Sequence, residues 1–444
     1  MKIFKPIRKL TSEQKKSYFG GKRYLKVLNR WINAKSNFRK NVYISSILKT
    51  LTNKKNDKYA FKKGVLTLNF PENFSLIENP VDSLKVIINL AHATTYKNKL
   101  REIHFNHNHI TNMDLSAESI LACVAEELKN DMHFKSLKCK PKGVFPEDER
   151  HRRLIRSVGV IKSFDVNKHY LNTAERENIE IFTARSKKKK GNTQPMEPDR
   201  KARVIKEFTD HLNRCLNHYN KELTPEGRNK FGLYTGEIID NAEAHSGGGK
   251  ENTEWRIVGY LDSTESDSHI CEVIIFNFGN TISDSLNNVD SNGLTYKNWI
   301  HPFLKTHSGN ISANLTKENL LTYLALQGGV SSRNIKASDT RGRGTIDLLS
   351  FFFQISDYLT GHGDKSAKMA ILSGDTHIYF DGTYKIKKDS NGLELIALND
   401  ENDIMKTPDH NYIKKIPDDI TFPGTIIAVK FKLPSDQYTR EIIK

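Results

Sequence analysis

The 444-residue chain carries 69 Lys and Arg against 52 Asp and Glu, a formal net charge of +17 with a pI near 9.4. At roughly 150 residues per domain this length predicts two or three domains, and a hydrophobic share of 37% supplies packed cores, which excludes a disordered chain. The basic balance favours acidic partners such as nucleic acid, nucleotides or an anionic membrane surface. Cys123, Cys139, Cys215 and Cys271 lie far apart without a CxxC pair, which speaks against a zinc ribbon or disulfide framework and for a reducing cytoplasm.

The N-terminus, Met-Lys-Ile-Phe-Lys-Pro-Ile-Arg-Lys, is basic without a following apolar core. No segment approaches the ~20 apolar residues that span a bilayer, so a soluble, cytoplasmic protein without membrane contact is expected. Residues 1–63 form a basic arm, with about twenty Lys and Arg against Glu13 and Asp57. Tyr18, Phe19, Tyr24, Trp31, Phe38 and Tyr43 interleave with these cations. They suit base stacking on DNA or RNA, and they equally suit the buried side of a small helical cap, since Tyr24, Leu25, Leu28, Trp31 and Ile32 have helical spacing.

Residues 64–185 read as a small α/β domain: a strand over 65–70, a helix over 83–93, a strand over 102–106 and an amphipathic helix over 115–128 that Asp114 or Ser116 caps. The segment Asn112-Met-Asp-Leu-Ser-Ala-Glu-Ser loosely resembles the STAS domains of sulfate transporters and anti-sigma antagonists. Ser116 is then the nearest match to the hydroxyl phosphorylated in that family. His104, His107 and His109 alternate, which would set them on one face of a strand. A metal site there would need a fourth ligand and a supporting shell that the sequence does not offer.

Arg185-Ser-Lys-Lys-Lys-Lys190 opens a basic linker, placed at 186–199, whose default reading is a solvated loop and whose charge also suits nucleic acid. From 200 to 444 the texture changes. Val204, Ile205, Phe208, Leu212, Cys215 and Leu216 mark a long helix, and Glu237, Asn241 and His245 follow at four-residue spacing on another. Phe231, Tyr234, Ile238 and Ala242 lie on its reverse side, so the helix packs there and presents a carboxylate and a carboxamide, groups able to orient water and help hold a hard cation. Strands near 255–261 and 272–276 lead into Asn277-Phe-Gly279-Asn-Thr281. Gly328-Gly329-Val-Ser331-Ser332-Arg333 precedes a polar loop and then Arg341-Gly342-Arg343-Gly344-Thr345, where glycines and arginines at a helix start suit an anion. Pro423-Gly424-Thr425 turns into an apolar strand.

In this order the pieces resemble the GHKL ATPases, the superfamily of gyrase B, heat-shock chaperones, MutL proteins and histidine kinases, over residues 200–434. The resemblance implies a Bergerat fold, a mixed sheet with helices on one face, with ATP and Mg2+ as ligands. It implies that Asn241 coordinates Mg2+, that Glu237 activates the hydrolytic water, and that His245 supports the pocket edge. Asn277 stands where an aspartate normally accepts from the adenine amino group, and Thr281 where a second glycine is usual. By the same resemblance residues 328–333, with Gly329, Ser331, Ser332 and Arg333, begin an ATP lid. Arg341, Gly342, Arg343, Gly344 and Thr345 cradle the phosphates, and the Thr425 hydroxyl anchors the adenine site.

The expectation is an α/β (α+β) ATPase switch whose lid closure alters a surface offered to nucleic acid, a protein partner or a second copy in a homodimer, in a setting such as bacterial defence or DNA maintenance. A histidine kinase would need a phosphoacceptor His followed by an acid and a Pro, which neither His211 nor His218 provides. The alternatives are a nucleotide-binding module with little turnover and an anti-sigma-like serine kinase.

Overall fold

The computed structural model describes residues 45–52, 59–97, 100–130, 139–164, 171–186, 198–218, 222–245, 254–265, 268–331, 344–360, 367–390, 392–434 and 442–443. The small sheet holds β1 (Ala60–Lys62), β2 (Val65–Asn69), β3 (Glu102–Asn106) and β4 (Lys140–Val144) in that order. Strands β1 and β2 are antiparallel across Lys63 and Gly64, both at positive φ, the backbone of a two-residue hairpin turn. Strands β2, β3 and β4 are parallel, crossed by α1 (Pro80–Tyr96) and α2 (Leu115–Asn130). Asp114 caps α2, its Oδ1 accepting from the Ala117 amide at 2.9 Å. Helices α3 (Glu149–Val158) and α4 (Val160–Ser163) complete this part. The helix Ser46–Leu51, within the stretch assigned to the basic arm, buries Ile47, Leu48 and Leu51 in the same core, so that portion is structural; residues 1–44 lie outside the described residues.

Then come β5 (Ile179–Arg185), α5 (Pro198–Asn217), α6 (Pro225–His245), β6 (Glu254–Asp262), β7 (Ser268–Phe278), α7 (Ile282–Asn287), α8 (Lys317–Leu324), α9 (Gly344–Thr360), β8 (Lys368–Gly374), β9 (Thr376–Phe380), β10 (Ile413–Lys415) and β11 (Phe422–Pro434). The large sheet runs β10-β9-β8-β11-β7-β6-β5, and every neighbouring pair is antiparallel. The protein is therefore mixed α/β, as expected, but it is the small sheet that is mixed and the large one is not. Strand β5, which composition puts in the small domain, pairs with β6 and forms an edge of the large sheet.

Both faces of the large sheet are buried, where helices on one face were expected. Along β7, Cys271 and Ile275 join the core beneath α5, α6 and α9, whereas Ile274, Phe276 and Phe278 join the core of α1 and α2. A strand buried on both sides reads as a continuous apolar run, as Val-Ile-Ile-Phe does here, instead of an alternating one. Buried polar groups pin the small domain to this second face. Arg153 on α3 donates to Asp262 on β6 at 2.8 Å, both nearly inaccessible. Lys430 on β11 bridges Glu272 on β7 at 3.3 Å and donates to the Met113 carbonyl at 3.0 Å, while Glu272 also accepts from the Leu115 amide. Ser116 is 1% exposed and donates to Asp114, so the hydroxyl matched to a phosphorylation site is enclosed in this fold. The cysteines are free thiols, as their spacing suggested. Among the described residues no helix is long and apolar enough to cross a membrane.

Burial also sets the pH range of stability. It pushes His107, His211 and His377 down to about 4 and Glu118 up to about 8. A histidine held neutral in the fold loses ground as pH falls, because the unfolded chain binds protons from about 6.5 downward. The three together withdraw roughly 4 kcal/mol per pH unit between 6.5 and 4. Glu118 acts oppositely: the folded chain keeps its proton, so its contribution is full below the unfolded value near 4.5 and is lost as pH rises to 8. The melting temperature should thus climb steeply from pH 4.5 to 6.5 and decline gently towards 8. A flat profile in calorimetry over that range would contradict these buried neutral groups.

Candidate functional site

Four side chains form a row across the helix-covered face of the large sheet. Trp255 on β6 is the cross-strand partner of Asn277 on β7, Asn277 of Thr425 on β11, and Thr425 of Ser373 on β8. Alternation along β7 puts Asn277 on the face of Ile275 and Cys271, beneath the helices. It is 7% exposed, and among the described residues its carboxamide has no hydrogen-bond partner. The polar atoms of Asn277 are not among those sealed in the interior without a partner, so the carboxamide remains available at the end of the strand.

The backbone closes tightly at the end of this row. Gly424 has φ +147°, and a Cβ built there would lie 2.0 Å from the Asn277 carbonyl oxygen. Only a residue without Cβ allows β11 to approach β7 so closely. The Gly279 amide donates to the Pro423 carbonyl at 3.1 Å, which ties the loop after β7 to the start of β11. Ser373 completes the corner: its Oγ lies 2.9 Å from Thr425 Oγ1 and accepts from the Ile282 amide at 2.9 Å. The sequence reading missed Ser373. A Ser-Gly pair closing the apolar run Met369–Leu372 was its only local signal.

Thr281, expected to touch the cofactor, caps α7. Its hydroxyl accepts from the Asp284 amide at 3.1 Å while Asp284 Oδ2 accepts from the Thr281 amide at 2.9 Å, a reciprocal capping box. Its methyl group also abuts Gly374, where a Cβ would sit 2.9 Å from it. Thr281 thus shapes the wall, and its hydroxyl is committed to the helix.

Helix α6 packs as its pattern predicts. Phe231, Ile238, Ile239 and Ala242 are buried, Gly232 and Gly236 face Ile205 on α5, and Phe231 and Tyr234 meet Phe351 on α9. Asp240 pairs with Lys201 on α5. Glu237 and Asn241 are exposed on the opposite side. The link to the row is Glu243, which accepts from Trp255 Nε1 at 3.3 Å. This bond brings the C-terminal turns of α6 onto the strand position paired with Asn277. His245 ends α6, and its side chain lies outside the described residues.

At the start of the expected lid, the Gly328 amide donates to the Glu394 carbonyl at 2.9 Å, Gly329 turns with φ +81°, and the Ser331 carbonyl accepts from Thr295 Oγ1 at 2.8 Å. Ser332, Arg333, Arg341, Gly342 and Arg343 lie outside the described residues, as do residues 187–190 of the basic run; Gly344 opens α9 and Thr345 is half-buried. The three histidines part company: His104 pairs with Glu102, His107 is buried against Phe70, and His109 is exposed in a turn beyond β3. No cluster of three His, Cys, Asp or Glu fit to hold a metal occurs among the described residues. Mg2+ on a nucleotide does not require one, since phosphate oxygens and water fill most of its coordination shell and one or two protein oxygens suffice. The accessible carboxamide of Asn241 fits that demand.

No protein-family model matches this chain, and neither a curated protein nor a solved structure does.

Proposed function

We propose that the chain is a GHKL-type switch that binds Mg·ATP between α6 and the ends of β7, β8 and β11 and hydrolyses it. The observation that carries this reading is Asn277, a carboxamide at the end of a central strand with no hydrogen-bond partner among the described residues, in line with Thr425 and Ser373 and linked through Trp255 to α6. Bound Mg·ATP supplies an electrophilic γ-phosphorus with its charge partly offset by the metal. Asn277 and Thr425 meet the base, and Asn241 offers its amide oxygen to the cation. Glu237, one helical turn before Asn241, takes a proton from the attacking water as the new phosphorus–oxygen bond forms and the bond to the β-phosphate oxygen breaks. The released phosphate and ADP carry the proton and charge away.

Strands β7 and β11 also suit a switch. Their ends carry Asn277 and Thr425, and their middles carry Glu272 and Lys430, which hold the small domain. A shift in strand pairing at the pocket would reach that contact directly, and through it a nucleic-acid or protein partner, or a second copy of the chain. A module that binds nucleotide without turnover is the second reading, favoured by Asn277 standing where the family has an acid.

Calorimetric titration with ATP tests the binding half. Wild-type protein should bind ATP more tightly with Mg2+ than with EDTA, and Asn241→Ala should shrink that difference about tenfold, the worth of one good metal or charge-assisted contact. Equal metal dependence in both proteins would remove Asn241 from the site, and no binding in either would remove the nucleotide.

A further inference from the structure

A cavity of about 120 Å3 opens at the outer edge of the small sheet, where β4 meets α3 and α4. Its walls are apolar, with Phe105, Phe145 and Phe164 set among Ile155, Val160 and Ile161. Phe105 and Phe164 meet there with ring centroids 6.0 Å apart. Apolar cavities of this order stay dry and accept a benzene-sized guest, because they offer water too few partners. At the rim stands Lys142, whose ammonium is already paired with Glu102 at 3.0 Å, so the mouth does not by itself select an anion.

One polar side chain interrupts the apolar lining within. His107 is 3% exposed and stacks on Phe70, ring centroids 4.0 Å apart. Its Nδ1 lies 3.3 Å from the Val144 carbonyl oxygen, which can only accept, so Nδ1 carries the proton and Nε2 is left as a bare lone pair. Nε2 is enclosed and has no hydrogen-bond partner among the described residues. Burial pushes the ring down to about 4, against the Val144 and Phe105 carbonyls that favour a proton, so it stays neutral near pH 7 and keeps that lone pair. A buried acceptor left unmatched is costly, and its complement is a donor.

We propose that this cavity binds a neutral single-ring phenol, whose ring fills the apolar space and whose hydroxyl donates to His107 Nε2. The inference is independent of the nucleotide reading, since the cavity lies in the small domain and shares no residue with α6 or the ends of β7, β8 and β11. A phenol ionises only near pH 10, so it brings a donor without a charge to strip of water. A hydrocarbon of the same size fills the space and leaves Nε2 unmatched. A carboxylate brings no donor and must bury its charge among the aromatic rings.

The test is titration of 4-fluorophenol and fluorobenzene with the full chain, followed by the 19F NMR line widths of the two ligands. Wild type should bind 4-fluorophenol about fivefold more tightly than fluorobenzene, the worth of one net hydrogen bond. His107→Phe keeps a ring on Phe70 and removes the acceptor, so it should still bind fluorobenzene and bring the two affinities within about twofold. Ile161→Trp, which fills the cavity from a half-buried wall, should weaken both by more than about tenfold. No binding of 4-fluorophenol by wild type, equal affinity for the two rings, or a preference undiminished in His107→Phe overturns the proposal. Binding undiminished in Ile161→Trp overturns it too, because the ligand then sits elsewhere. If either variant does not fold, the 15N resonance of His107 Nε2 in the wild-type chain decides: it should shift with 4-fluorophenol and not with fluorobenzene, and an unmoved resonance overturns the proposal.

Discussion

Glu237→Gln is expected to slow ATP hydrolysis by about 100- to 10,000-fold, the usual worth of a positioned general base, while ATP still binds. The amide retains the shape and reach of the carboxylate and loses only the ability to take a proton. Because Glu237 is exposed on α6, away from the buried side of Ile238 and Ile239, the change should leave stability within about half a kcal/mol. Single-turnover phosphate release with titrated binding separates the two effects. Equal release from both proteins at a rate above background would deny Glu237 the role. Equal background release from both, with binding retained, would establish the non-hydrolysing module instead.

Gly424→Ala is expected to be the most damaging single methyl group in the large sheet. Its Cβ would fall 2.0 Å from the Asn277 carbonyl oxygen and 2.9 Å from Phe278 Cα, and φ +147° is itself strained for any residue with a side chain. The neighbours are backbone in two central strands, so relief requires β7 and β11 to part where the Gly279 amide meets Pro423. A loss of about 3–5 kcal/mol follows, a fall in melting temperature on the order of 10 °C, together with weaker nucleotide binding as the row is displaced. Gly309→Ala is the control, since a Cβ there meets nothing within 4 Å. Equal melting temperatures for the two variants would show that the close approach at Gly424 is not sustained in solution.

Much of the local architecture was legible before any coordinates. The stripe of α6 follows from helical periodicity, which is why Phe231, Ile238 and Ala242 are buried while Glu237 and Asn241 are not. The strand over Glu102–Asn106 and the cap at Asp114 likewise depend on neighbours in sequence. Thr281 shows the limit of such reading. Its place in a motif suggests a ligand contact, and the acid three residues on, Asp284, makes the same threonine a capping residue as well.

The sequence by itself determined several helices and strands, among them those at Leu115–Asn130, Pro225–His245 and Glu102–Asn106, and which face of α6 is polar, because each is a requirement of periodicity within a few residues. Only the tertiary structure decided that Trp255, Asn277, Thr425 and Ser373 share one row, that β5 belongs to the large sheet, and that the small domain covers its second face. Strand register and sheet order are set by pairings between residues tens to hundreds of positions apart. Local spacing carries no information about those pairings, which are chosen by the joint burial of both faces of the sheet.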